Sequence, residues 1–480
     1  MASSLEEFDI IIIGAGISGI NCAYRLLTEL PEVRFTILEC RDDIGGTWDQ
    51  FTYPGVRSDS DMYTLGFAWH WWPFPYPIGE GPLILEYLRA AASKHHILER
   101  IRLCHKVSSA DWSSDHQKWT MAVDHQGEPK TFRASWMILG TGYYDYQVPL
   151  QAGIPGLDSY KGKVINPQFW PNDYDYENKK IALIGSGATA VTVMPYLAKK
   201  AAQLTMIQRS PTYIVAHSNT SWAFFSFLPL FLVMACRRFY WAVTSYLFVV
   251  FCQYFPHAAR KALHSETVKQ LPEGVSQYHF IPKYSPWEQR ICTDPEGIFY
   301  KSLRRPNVEI ITGKIKTVTT TGVAMQDGKT VDADCIITAT GLNMKMGGGI
   351  DIRVDGNPMS WGKRFIWNGS MLDGVPNMMF MLGYTNNAWT LKADNTAIML
   401  RRLWKHMTRN GFRSAVPRVP KNTAAKTERV WQLSATYVAL SEDRLPVYGT
   451  MGNWKPQNRP PIDYVHARWG NHTEGLEFAA

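Results

Sequence analysis

Two glycine-rich loops about 170 residues apart each follow a short apolar run, and this pair restricts the fold more than any other feature. The first run, FDIIIIGAGISG at 8–19, ends in Gly14, Gly16 and Gly19; the second, KIALIGSGATA at 180–190, ends in Gly185, Gly187 and Ala190. An uninterrupted apolar run suits a central parallel strand covered on both faces. The first glycine then allows a tight turn, the second lets the backbone approach a pyrophosphate, and the third position packs helix on strand, where alanine also serves. Free NH groups and the dipole of the following helix favour the phosphates. The chain is therefore α/β, with two Rossmann-like dinucleotide-binding units.

What ends the next strand in each unit separates the two nucleotides. RFTILE places Glu39 20 residues beyond Gly19, where a carboxylate accepts hydrogen bonds from ribose hydroxyls and repels a 2′-phosphate, so this loop suits FAD or NAD. LTMIQR places Arg209 at the corresponding position, where a guanidinium pairs with a 2′-phosphate and selects NADPH. Runs ending in glycine, WMILGTG at 136–142 and CIITATG at 335–341, close the two units. YKGKVINPQFWP at 160–171 joins them, and two such loops in one chain suggest electron transfer between cofactors.

At 480 residues two or three domains are expected. Net charge is +8, but Lys and Arg are scattered, which argues against nucleic acid and leaves a phosphate-bearing cofactor or an anionic membrane surface open. The seven cysteines are widely spaced and include no CxxC pair, which argues against a disulfide scaffold, a zinc site and a dithiol centre of the flavin disulfide reductase kind. The first apolar run begins too early for a signal peptide, so an intracellular location is expected, cytoplasmic or peripherally membrane-associated.

Between the loops, 222–236 and 239–255 are uncharged apolar segments separated by Arg237 and Arg238. Each falls short of the roughly 20 residues a spanning helix needs. A helical hairpin buried over the substrate pocket is the favoured reading, with monotopic membrane contact through 222–255 second. GGTWDQ at 45–50, YPG at 53–55 and the charges Arg57, Asp59 and Asp61 form a loop close to both phosphate sites. The 390–407 stretch reads as a helix whose N-terminal end can face a ligand.

With these motifs in order, the chain resembles the class B flavoprotein monooxygenases, specifically Baeyer–Villiger monooxygenases of the ethionamide monooxygenase subgroup. YPGVRSDSDMYTLGF at 53–67, QRSPTYIV at 208–215, QLPEG at 270–274 and GYTNNAWTLKAD at 383–394 carry the resemblance beyond the glycine loops. It implies an FAD domain formed by 1–158 and 342–480, split by an NADPH domain at 159–341 with a helical apolar insert at about 219–282. It implies FAD contacts at Thr47, Trp48, Asp49, Gln50, Asp59 and the backbone of Val107. It implies NADP contacts at Arg57, Ser58, Asp59, Gly185, Ser186, Gly187, Ala188, Thr189, Ala190, Val191, Arg209 and Ser210. Arg290 falls on the family's catalytic arginine, and Asp59 on the aspartate that supports it.

One motif departs from the family. The fingerprint FxGxxxHxxxWP is matched by Tyr160, Gly162, Asn166, Trp170 and Pro171, so asparagine replaces a histidine held to coordinate domain and cofactor movement. Asparagine forms hydrogen bonds but does not titrate near neutrality, which puts the coupling of NADPH use to oxygenation in question. The resemblance implies an NADPH- and O2-dependent monooxygenase that converts a hydrophobic ketone to an ester or lactone through a flavin 4a-peroxide. Oxygenation of sulfur or nitrogen is the alternative, and a catalytically weak membrane-associated flavoprotein is the distant one.

Overall fold

A computed structural model describes residues 5–220, 229–420 and 426–480. The run of isoleucines forms the strand Glu6–Ile13, in which Ile10, Ile11 and Ile12 have no solvent exposure. It pairs in parallel with Phe35–Leu38 on one side and with Glu128–Leu139 on the other, aligning Ile10 with Phe35 and Trp136. The strands His105–Ser113, Lys118–His125 and Glu128–Leu139 extend this sheet as an antiparallel meander. Met378–Phe380, from far along the chain, adds to the same sheet beside Glu128–Leu139. Residues from both ends of the chain thus share one core.

The second sheet is parallel throughout, in the order Val308–Thr312, Gln203–Gln208, Lys180–Ile184, Cys335–Thr338, Lys163–Ile165. Its central strand, Lys180–Ile184, holds Ile181, Ala182 and Leu183 fully out of water, as a strand covered on both faces requires. The helix Ala188–Leu197 follows it, as Ile17–Glu29 follows the strand of the first sheet. Each glycine loop therefore lies at the carboxyl end of a central strand and at the amino end of a helix.

The apolar insert differs in detail from the hairpin expected. Residues 222–228 lie outside the described residues, and from Leu230 to Tyr254 the chain is one helix of 25 residues that runs through Arg237 and Arg238. Arginine is a good helix former, so the pair does not interrupt the helix. The break comes at Phe255, and Pro256 opens the helix Pro256–Gln270 from a first-turn position where its missing NH costs nothing. The 25-residue helix packs against Met62–Leu65 and Pro256–Gln270. None of its residues lines the large cavity described below, so it is not a lid over that cavity. No helix among the described residues is long and apolar enough to cross a membrane.

Candidate active site

The two loops meet their steric requirements in the same way. Gly14 has φ +104°, and a Cβ there would lie 2.7 Å from the Gly140 carbonyl oxygen. Gly185 has φ +135°, and its Cβ would lie 2.1 Å from the carbonyl oxygen of Ala339. At the helix-packing position, a Cβ on Gly19 would lie 1.9 Å from the Gly14 oxygen. The middle glycines face space instead: a Cβ on Gly187 would meet nothing within 4 Å, and one on Gly16 only Gly46 backbone at 3.7 Å or more. The helices beginning at Ile17 and Ala188 have no side-chain cap on their N-terminal NH groups. Open space over uncapped NH groups fits a pyrophosphate at each loop.

Both helix ends open on one cavity of about 390 Å3. Of the residues expected to touch a cofactor or carry chemistry, Gly16, Thr47, Trp48, Arg57, Asp59, Ser186, Gly187, Ala188, Thr189 and Arg290 line it. The others lie behind or beside it. The Glu39 carboxylate accepts from the Ala15 NH at 2.7 Å and the Arg41 NH at 3.0 Å. Arg41 in turn donates to Asp49 and Gln50, fixing both. Ser58 is buried and bonded to the Gly79 backbone, and Ala190 and Val191 are buried in the helix after the second loop. Val107 lies on its strand opposite Val123 and is not part of the cavity lining. Ser186 donates to the Ser210 carbonyl at 2.9 Å, tying the second loop to the segment after Gln203–Gln208. Arg209 directly follows that strand, exposed, and donates to Thr436 Oγ1 at 2.7 Å.

Charge concentrates where the two loops converge. Burial pushes the Asp59 carboxyl above its usual pKa, opposed by the positive charges of Arg57 and Arg290. Neither guanidinium is hydrogen-bonded to it. Arg57 Nη2 donates to the Thr293 carbonyl at 2.7 Å, while its Nε and Nη1 are buried without a protein partner. Buried guanidinium donors beside a cavity are costly unless something accepts from them, and a bound anion satisfies that need. Among the described residues Arg290 makes one long hydrogen bond, 3.4 Å, to the Tyr384 carbonyl, and its charge is available to the cavity. Cys292, also in the lining, has its thiol pushed up to about 12 by burial and by Asp59, so it stays protonated at neutral pH. All seven cysteines are free.

Asn166 lies outside the cavity lining. Its side-chain oxygen accepts from the Gln168 NH at 3.0 Å and caps the short turn Pro167–Phe169. Gln168 bridges onward, its side chain donating to the Asp145 carbonyl and its own carbonyl accepting from Gln50 Nε2 at 3.0 Å. Asn166 therefore holds one end of a chain running through Gln168 and Gln50 to Arg41 and Asp49. That is a structural link between the connecting stretch and the first loop.

Sequence reasoning passed over much of the aromatic wall. Tyr143, Tyr144 and Tyr146, from TGYYDY after a glycine-ended strand, line the cavity with Trp389 and Tyr437. Thr47 Oγ1 and Tyr144 OH are 2.9 Å apart, Tyr143 stacks on Trp389 at 5.3 Å, and Trp389 Nε1 donates to Ser18 Oγ at 2.8 Å. The position of TGYYDY after a glycine-ended strand was the available signal. Asn387 and Trp389 also line the cavity, so the helix Trp389–Asn410 does present its N-terminal end there.

A family model described as flavin-binding monooxygenase-like matches residues 8–347. The FAD-containing monooxygenase EthA of Mycobacterium tuberculosis is 39% identical over 480 residues, covering 99% of this chain and 98% of its own. Among solved structures, an oxidised steroid monooxygenase bound to NADP aligns with a TM-score of 0.78 at 21% identity over 98% of this chain and 99% of its own. An open crystal structure of cyclohexanone monooxygenase aligns at 0.76, also at 21% identity, over 99% of this chain and 100% of its own. With the two nucleotide loops converging on one cavity, these matches show that the chain belongs to the flavin-binding monooxygenase-like family.

Proposed function

We propose that the protein is an FAD-containing, NADPH-dependent monooxygenase that inserts one oxygen atom of O2 into a hydrophobic ketone. The balanced reaction is ketone, O2, NADPH and a proton giving ester or lactone, NADP+ and water. The observation that carries this reading is the convergence of both uncapped helix ends with Arg57, Asp59 and Arg290 on a single aromatic-lined cavity. FAD, reduced by NADPH, supplies the activated oxygen when bound. Gly14, Gly16, Gly19 and Glu39, with Thr47, Trp48, Asp49, Gln50 and Val107, are the residues proposed for FAD. Arg57, Ser58, Asp59, residues 185–191, Arg209 and Ser210 are those proposed for NADP. The fixed positive charge of Arg290 favours negative charge on the attacking oxygen and on the oxyanion formed at the carbonyl, which puts ketones ahead of sulfides and amines.

The sharing of one sheet by strands from both chain ends supports an FAD domain made of 1–158 and 342–480 around an NADPH domain at 159–341. Product analysis by mass spectrometry over a panel of ketones, sulfides and amines tests the reaction. Esters or lactones are expected, and sulfoxides or N-oxides alone would refute the ketone assignment.

Arg209 decides the nicotinamide. An Arg209→Ala variant is expected to lose most of the preference for NADPH over NADH, on the order of tenfold or more in kcat/KM, since a bidentate anion contact is lost. Equal efficiency with both nicotinamides in the parent protein would overturn the assignment. Asn166 bears on coupling. NADPH oxidation is expected to persist, with a larger fraction of electrons released as hydrogen peroxide than in an Asn166→His variant, because asparagine holds the turn but offers no titratable group. Identical peroxide yields would show that the departure from the fingerprint has no effect on coupling.

A further inference from the structure

We propose that the outward face of the helix Leu230–Tyr254 docks on an anionic phospholipid surface, lying in the boundary between headgroups and acyl chains. The helix is polarised in an unusual sense. Its two cations both turn toward the protein: Arg238 Nη1 donates to the Tyr63 carbonyl at 2.7 Å and the Gly66 carbonyl at 2.9 Å, and Arg237 lies 5.5 Å over the Tyr63 ring. Val233, Met234, Val249 and Cys252 are buried on that side. The outward side carries Leu232, Phe239, Leu247 and Tyr254, which at about 100° per residue fall within one arc. They are exposed by 40%, 71%, 55% and 66%. A helix that hides its arginines and shows its aromatics is poorly suited to water, and a continuous apolar patch of this kind marks a contact surface.

Charge selects the occupant. No Asp or Glu occurs between Glu177 and Glu266, so the helix Leu230–Tyr254 carries no acidic residue. Lys261, in the next helix Pro256–Gln270, is exposed. An anionic bilayer complements an acid-free helix followed by the exposed Lys261, and this attraction adds to burial of the apolar face. Phe251, 37% exposed, also lines a cavity of about 360 Å3 whose wall mixes Ile214, Leu263 and Tyr300 with Glu266 and Gln270. Since no described helix is suited to span, docking is interfacial.

Flotation of the FAD-loaded full chain with vesicles tests this directly. Binding to phosphatidylcholine mixed with phosphatidylglycerol is expected to exceed binding to phosphatidylcholine alone. The triple variant Phe239→Ser, Leu247→Ser, Tyr254→Ser should bind on the order of tenfold more weakly or less. It should retain the parental FAD content and rate of NADPH oxidation, since none of the three residues lines the active-site cavity. Lys261→Glu should weaken binding several-fold to the anionic vesicles and leave binding to the neutral ones unchanged. Parental vesicle binding by the triple variant would overturn the proposal. So would a lipid-free dimer on size exclusion that the triple variant disperses, with no vesicle binding by the parent, because a second copy would then be the occupant.

Discussion

Replacing Arg290 with Ala is expected to lower product formation by about a hundredfold or more, comparable to removing an oxyanion donor, while FAD stays bound. Arg290 lines the cavity and, among the described residues, makes one long hydrogen bond, to the Tyr384 carbonyl, so little of the fold depends on it. The elements proposed for FAD, the loop from Gly14 to Gly19 and the strand ending before Glu39, are separate from it and packed in the first sheet. The substitution also removes one of two cations that oppose the raised pKa of Asp59, so the carboxyl rises further and loses charge at neutral pH more readily. A charge-preserving Arg290→Lys variant should recover part of the rate, though not the planar donor geometry. Mass spectrometric product yield, read beside the ratio of flavin to protein absorbance, checks the expectation. Parental turnover in Arg290→Ala would reduce Arg290 to a surface loop residue.

The parts of this molecule that were legible in the sequence are those where one residue type is forced. A strand covered on both faces must be apolar throughout, and a turn with positive φ against a neighbouring carbonyl must be glycine, so 8–19 and 180–190 announced both loops. The cavity wall was less legible because it is assembled from segments distant in sequence: Tyr143, Trp389 and Tyr437 meet only after Met378–Phe380 joins the first sheet. An aromatic residue serves a core and a cavity equally well, so its type does not reveal its neighbour. The insert was misread in part because a pair of arginines in an apolar run looks like a turn. In three dimensions both find carbonyl or aromatic partners on Met62–Leu65 and its surroundings, and the helix runs through. Asn166 stands out in the sequence by its place in a fingerprint, but its link to the first loop, a turn cap joined through Gln168 to Gln50, is visible only in three dimensions.

The two glycines of the second loop should fail in different ways when each is changed to alanine. At Gly185 the obstacle is the protein itself: φ is +135°, and the new Cβ would lie 2.1 Å from the carbonyl oxygen of Ala339. That oxygen follows Cys335–Thr338, which is registered with Lys180–Ile184 through Thr338 and Ile184, so neither side can withdraw without opening the sheet. Gly185→Ala is therefore expected to cost about 1–3 kcal/mol of backbone strain, seen as a drop of several degrees in Tm, and to slow flavin reduction by NADPH by roughly a hundredfold. At Gly187 a Cβ meets nothing within 4 Å, so Gly187→Ala should keep the parental Tm. The space it fills is the one proposed for the pyrophosphate, and the NADPH concentration needed for half-maximal flavin reduction should rise on the order of tenfold or more. Both variants should stay yellow, because the first loop is untouched. Thermal melts and stopped-flow reduction separate the two effects, and a Gly187→Ala protein with parental NADPH dependence would show that the dinucleotide does not lie over this loop.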